Sequence, residues 1–113
     1  MDCLFCRIRD KKIPAKIVHD DDDCLAFEDI NPQAPIHLLV VPKKHIPTVL
    51  DLSEEDDRLI GHVHRIAAEL ARRHGIAQPG FRLVVNCNAG AGQSVFHVHL
   101  HLLGGRPMKW PPG

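Results

Sequence analysis

His97, His99 and His101 occupy alternate positions in the run His97-Val98-His99-Leu100-His101-Leu102-Leu103. Near neutral pH an imidazole serves as nucleophile, proton carrier or metal ligand, and three of them within five residues are hard to ascribe to packing. Alternate side chains of a strand share a face and lie roughly 6.5–7 Å apart. The spacing therefore predicts three imidazoles on one surface, with Val98, Leu100 and Leu102 on the other. The loop before them carries Gly90 and Gly92, which let backbone N–H groups turn toward an anion, and Gln93 and Ser94 add neutral donors. It lacks the lysine of a P-loop, so its adjacency to the histidines is what marks it as a candidate phosphate cradle.

A second group of residues suits a metal. Cys3 and Cys6 form a Cys-x-x-Cys pair, which reads as two reduced thiols or as half of a tetrahedral zinc site that two histidines would complete. Cys24 and Cys87 lie in strand-like apolar contexts and are expected to be small buried hydrophobes. The acidic run at 20–23 reads as a solvated hairpin tip, cation binding being the weaker alternative. His19, His62, His64 and His74 are expected to be structural.

At 113 residues the chain is long enough for one domain with a real core, residues 1–113, and short enough to favour a dimer. Fourteen basic residues balance fourteen acidic ones, and no basic stripe interleaved with aromatics argues for nucleic acid. A small ligand is the expected partner. No apolar stretch is long enough to span a bilayer, and the segment from Met1 to Cys6 lacks a basic region followed by an apolar one. A soluble, cytoplasmic protein is expected.

The elements that must position these residues are short. A first helix is predicted over 5–10, ended before Pro14, and strands over 15–19, 24–29 and 37–41. One long helix starts at Ser53 with Asp56 as a capping-box partner and runs to His74 before Gly75. Leu59, Ile60, Val63, Ile66, Ala67, Leu70 and Ala71 fall at steps of three and four, so this helix covers one face of a sheet. Strands over 81–86 and 95–103 complete an α+β domain with an antiparallel sheet.

With these residues in view, the chain resembles the histidine triad (HIT) family. His97 to Leu103 matches that family's alternating histidine signature. Gly92-Gln93-Ser94-Val95-Phe96, the ending Gly104-Gly105-Arg106-Pro107-Met108-Lys109-Trp110-Pro111-Pro112-Gly113, Asp29-Ile30-Asn31-Pro32-Gln33-Ala34-Pro35 and Val41-Pro42-Lys43-Lys44-His45 resemble its Hint branch. The resemblance covers essentially the whole chain. It implies a homodimer in which two five-stranded sheets, each with one long and one short helix, join into a ten-stranded sheet.

The activity implied is hydrolysis of purine nucleoside phosphoramidates, AMP or GMP joined through nitrogen to an amine, with no organic cofactor. By the same resemblance His99 is the nucleophile and His101 binds phosphate oxygens; a P–N leaving group needs a proton, and the Ser94 hydroxyl is the candidate relay. Asn86, Gly92, Gln93, Ser94 and Val95 complete the phosphate site, Asp29 holds the ribose hydroxyls, and Phe5, Phe27 and Ile30 sandwich the base. Trp110 would reach the neighbouring subunit's pocket. Relatives carrying the cysteine pair imply a structural zinc held by Cys3, Cys6, His45 and His97, a closed shell that leaves His99 and His101 free.

Three other readings stay open at this level. A zinc with an open position held by His97 and His99 would make a metallohydrolase. A branch cleaving dinucleoside polyphosphates usually has glutamine where His101 stands. An adaptor could keep the pocket and act through protein partners. Glu28 occupies a position where Hint relatives often carry histidine, and Asn88-Ala89-Gly90-Ala91 is a variant loop. His37 reads either as a supporting group beside the pocket or as a satisfied half-buried histidine.

Overall fold

A computed structural model describes residues 3–113; Met1 and Asp2, part of the N-terminal segment read above, lie outside them. The elements are α1 (Leu4–Arg9), β1 (Ile17–Asp20), β2 (Cys24–Glu28), β3 (Ile36–Pro42), α2 (Asp57–Arg73), β4 (Phe81–Val84) and β5 (Leu100–Gly104). The strands form one antiparallel sheet in the order β1-β2-β3-β5-β4. This is the α+β arrangement that the alternating and helical patterns predict.

Register decides what each face carries. Phe27 pairs with Leu39, Leu39 with His101 and His101 with Val84, which sets one row of side chains across four strands. The neighbouring row runs through Ala26, Val40 and Leu100, and its side chains point the opposite way. Against that second face α2 buries Val63, Ile66, Ala67, Leu70 and Ala71 in a core with Leu38, Val40, Leu100 and Leu102. Each large aliphatic there contributes about 1.5–3 kcal/mol relative to exposure. The first face is covered more thinly, by Cys3, Phe5 and Ile8 of the α1 region packed on Leu25, Phe27, Leu39 and Val41. Thin cover leaves room for a ligand.

Most element boundaries differ from the sequence expectation by one or two residues, and three of the differences bear on the site. The long helix opens with a 3₁₀ turn, Glu54–Asp56, before α2 begins at Asp57, because the capping box satisfies the Ser53 N–H with the Asp56 carboxylate first. The last strand starts at Leu100 and not at residue 95. His97 and His99 therefore lie on the approach to the ladder rather than in it, with a bend at His97, their segment tied by Val98 N–H to the Ile46 carbonyl at 2.7 Å. The strand predicted over 81–86 stops at Val84, where pairing with His101 ends. Side-chain alternation survives the shortened strand: Leu100 and Leu102 join the α2 core while His97 and His99 contact Phe5 on the other face.

Gly104 is where β5 passes the loop after α2. A Cβ there would meet Ile76 Cδ1 at 2.6 Å and Cβ at 3.0 Å, so any larger residue would push the Ile76 side chain aside.

The acidic turn is not simply solvated. Asp21 accepts from His19 Nε2 at 2.7 Å and His62 Nε2 at 2.8 Å through one oxygen, and from the N–H groups of Asp23 and Cys24 through the other. It clasps the β1–β2 turn to α2. Burial alone would raise the Asp21 carboxyl, but the two imidazoles and two N–H donors outweigh it and hold it well below the usual carboxylate range. Its stabilisation is thus present above the ordinary carboxylate pKa and lost as pH falls through the depressed one. Asp21→Ala is expected to cost about 2–3 kcal/mol and lower the melting temperature by roughly 10 °C. A melting temperature within about 2 °C of the parent would show the clasp to be idle.

Cys24 is fully buried, as expected, and burial pushes its thiol up to about 12. Cys87 is only half-buried, because it follows the end of β4. His74 caps α2, its Nδ1 2.9 Å from the Leu70 carbonyl. No helix among the described residues is long and apolar enough to cross a membrane.

Candidate active site and metal centre

Between α1 and the thinly covered face lies a cavity of about 490 Å³, within the usual size of a small-molecule site. Phe5, Phe27, Asp29, Ile30, Ser94, Val95, His99 and His101 line it. Ile8, Ile13, Pro14 and Leu39 add apolar wall that no sequence motif announced. Asn86, Gly92, Gln93 and Trp110 do not line it. Gly92 ends the loop in a left-handed conformation, φ +92°. The Gln93 amide is spent inside the loop, its Oε1 accepting from Asn88 N–H and its Nε2 donating to the Pro47 and Val95 carbonyls. Trp110 is 82 % exposed on the C-terminal segment.

Hydrogen bonds define the protonation pattern of the histidines. His99 Nδ1 lies 2.7 Å from the His97 carbonyl, which only accepts, so Nδ1 carries the proton and Nε2 keeps its lone pair. Gln33 N–H donates to His37 Nδ1 at 3.0 Å, which leaves the proton of a neutral His37 on Nε2. That proton is donated to His101 Nδ1 at 2.9 Å, and the Asp29 carboxylate lies 3.4 Å from His37 Nε2. His101 then presents an Nε2–H. The rings of His99 and His101 stand 5.0 Å apart, one a free base and the other a donor.

Burial keeps this set neutral. It lowers His99 and His37, and it pushes His101 down to about 4, assisted by the neighbouring His99 and His37 rings. His37 is thus linked directly to His101, a role that its place in the sequence left open.

Cys3, Cys6, His45 and His97 bring four ligand atoms within 4.8 Å of one another. His97 Nδ1 lies 3.4 Å from Cys3 Sγ, 3.6 Å from Cys6 Sγ and 3.2 Å from His45 Nδ1. His97 Nε2 meets the Pro42 carbonyl at 2.7 Å, which puts its proton there and turns the Nδ1 lone pair toward the sulfurs. Two soft sulfurs and two imidazole nitrogens converging in this way fit a tetrahedral zinc ion. Without a cation, burial pushes the Cys6 thiol up, with the Cys3 sulfur beside it adding to the effect.

One antiparallel sheet, helix-covered on one face and hollowed on the other around convergent histidines, defines a small-molecule-binding α+β domain. The chain belongs to the histidine triad family: the HIT domain matches residues 10–108. It is 53 % identical over 112 residues to an uncharacterised HIT-like protein of Synechocystis, covering 99 % of this chain and 97 % of that one. A HIT family hydrolase from Legionella pneumophila superposes with a TM-score of 0.98 at 53 % identity, covering 99 % of this chain and all of that one. A histidine triad protein from Clostridium difficile gives 0.93 at 42 %, covering 96 % and 95 %. The family resemblance read from the motifs is borne out, and the fold matches that of its solved relatives.

Proposed function

We propose that the protein is a purine nucleoside phosphoramidase of the Hint type, cleaving the P–N bond of AMP– or GMP–amine conjugates. The observation that carries this reading is the opposite protonation of two adjacent buried imidazoles on one cavity wall. A lone pair at His99 Nε2 suits attack on phosphorus, and an Nε2–H at His101 suits a phosphoryl oxygen that gains charge. The aromatic and aliphatic wall beyond them suits a flat base, with Asp29 at the ribose hydroxyls.

In the first step His99 Nε2 forms a bond to the α-phosphorus, while the P–N bond breaks and its electron pair stays on the amine nitrogen. The amine takes a proton through the Ser94 hydroxyl and leaves. The cationic nucleotidyl-imidazole is held through its Nδ1–H to the His97 carbonyl. Water then adds to phosphorus, the His99–P bond breaks, and the proton released by water replaces the one that left with the amine. Zinc at Cys3, Cys6, His45 and His97 would supply structural crosslinking of the N-terminal segment to the sheet, all four positions being protein ligands. β4 lies at a sheet edge, which suits pairing with a second copy into a ten-stranded sheet. Cysteines that form no disulfide among the described residues agree with a reducing compartment such as the cytoplasm.

The test is hydrolysis of adenosine 5′-phosphoramidate beside a dinucleoside polyphosphate, with kcat/KM followed against pH. Because burial holds His99, His37 and His101 below the ordinary imidazole value, His101 at about 4, the acid limb should fall below pH 6.5. An acid limb at pH 6.5 would contradict the neutral network. Cleavage of the polyphosphate alone would overturn the substrate reading.

A further inference from the structure

α1 opens on its two thiols. Cys3 is the N-cap and Cys6 stands one turn on, its N–H 3.4 Å from Cys3 Sγ. Residues three apart on a helical turn keep their Cα atoms about 5–6 Å apart, inside the span that disulfides accept, and the two sulfurs lie within 4.8 Å of each other. A small oxidant can reach them. Cys3 lines a cavity of about 510 Å³ with Leu4, His45, Pro47 and Phe96, and Cys6 is only half-buried. Cys24, in contrast, is fully buried in the α2 core, its sulfur 3.6 Å from Asp21 Oδ2.

The same two sulfurs face the ring that leads to His99. Cys3 and Cys6 lie 3.4 and 3.6 Å from His97 Nδ1, and Cys6 lies 3.4 Å from His45 Nδ1. We infer that Cys3 and Cys6 form an oxidisable dithiol, whose closure to a disulfide expels the cation of the cluster and slows the reaction at His99. The inference rests on the zinc reading of that cluster. Sulfurs that ligate a metal do so as thiolates, the form that attacks a peroxide. Cys3 Sγ, on the cavity side, bonds to one peroxide oxygen, the O–O bond breaks, and a water leaves a sulfenic acid behind. Cys6 Sγ then attacks that sulfur, the S–O bond breaks and a second water leaves. The sulfurs lose two electrons, the peroxide gains them, and two protons come from solvent.

A disulfide carries no thiolate charge and no longer suits a soft cation. His97 keeps the Pro42 carbonyl at Nε2 but loses both sulfurs at Nδ1, and its own carbonyl is the group that holds the His99 tautomer. In a reducing compartment such a pair rests reduced and closes only under oxidation, and a small dithiol reopens it.

The test treats the protein as purified with hydrogen peroxide, while a zinc-chelating dye reports free cation and peptide mapping reports each cysteine. The peptide holding Cys3 and Cys6 should lose the mass of two hydrogens, with one zinc per chain reaching the dye in step. Turnover of adenosine 5′-phosphoramidate should fall roughly tenfold in kcat. Dithiothreitol with added zinc should restore it, which separates the disulfide from methionine oxidation, since that persists under dithiothreitol. Cys87→Ser should respond as the parent does. Oxidation of Cys87 with Cys3 and Cys6 still reduced, oxygen added to either thiol in place of the two lost hydrogens, or a disulfide with kcat unchanged would each overturn the inference. A parent that purifies without zinc overturns the zinc reading, and the mass change then decides the dithiol by itself. No turnover by the untreated parent overturns the phosphoramidase reading alone, because mass and zinc release still decide this one.

Discussion

His99→Ala is expected to lower kcat/KM on adenosine 5′-phosphoramidate by at least roughly 10⁴-fold, because it removes the atom that forms the covalent intermediate. The rest of the machinery should stay in place. His99 is 8 % exposed and packs edge-on against Phe5 at 5.0 Å, so its loss leaves a cavity but breaks no ion pair. Its Nδ1–H serves only the His97 carbonyl, which is part of the approach to β5. Nucleotide monophosphate should therefore still bind to the variant with an affinity near the parent's. Two further measurements separate a nucleophile from a residue that merely shapes the pocket. Rapid quenching of the parent should leave a nucleotidyl group on the peptide containing His99, and added imidazole should restore measurable turnover to His99→Ala. Turnover within tenfold of the parent would remove His99 from the role.

The second large effect concerns the thiol cluster. Protein purified without added metal is expected to contain one zinc per chain by elemental analysis, and Cys3→Ser combined with Cys6→Ser should contain none. Structural zinc sites return on the order of 10 kcal/mol of apparent binding energy, and the doubly substituted chain should melt at least roughly 15 °C lower than the parent. The same change bears on catalysis through one residue. His97 offers its ring to the cluster and its carbonyl to His99, so loosening its ring loosens the contact that sets the His99 tautomer. A fall in kcat of about tenfold is expected, with the stronger effect on stability. A metal-free parent, or a doubly substituted chain with an unchanged melting temperature, would dismiss the zinc. Complete loss of turnover in a stable stripped protein, restored by zinc, would instead make the metal part of the chemistry.

Much of this architecture was legible in local patterns. The three-and-four spacing from Leu59 to Ala71 announced α2 and its buried face, because a helical stripe depends only on neighbours along the chain. The alternation from His97 to Leu102 announced two opposed faces, and that held although the ladder itself begins only at Leu100. Where β5 starts was not legible. It depends on Val98 bonding to Ile46, a contact between segments 52 residues apart in the chain.

The candidate site divides in the same way. Composition and spacing alone marked the triple histidine, the Cys-x-x-Cys pair and the glycine loop, and the family motifs assigned expected roles to individual residues. Gln93 illustrates the limit: an amide beside a phosphate loop reads as a ligand donor, yet in the fold its donors and acceptor close the loop on Pro47, Val95 and Asn88. Asp21 is the reverse case, a residue of an apparently solvated run that is drawn in by His19 and His62.

What the chain determined by itself was therefore which residues carry chemistry and which faces they share, since both follow from side-chain type and backbone period. Only the tertiary structure decided how three similar imidazoles differ. His97 has its Nε2 proton drawn to Pro42 and its Nδ1 lone pair turned to the sulfurs, His99 has its Nδ1 proton drawn to the His97 carbonyl, and His101 accepts from His37. A tautomer is set by which acceptor or donor a distant segment brings within about 3 Å. No spacing of histidines along the chain encodes that.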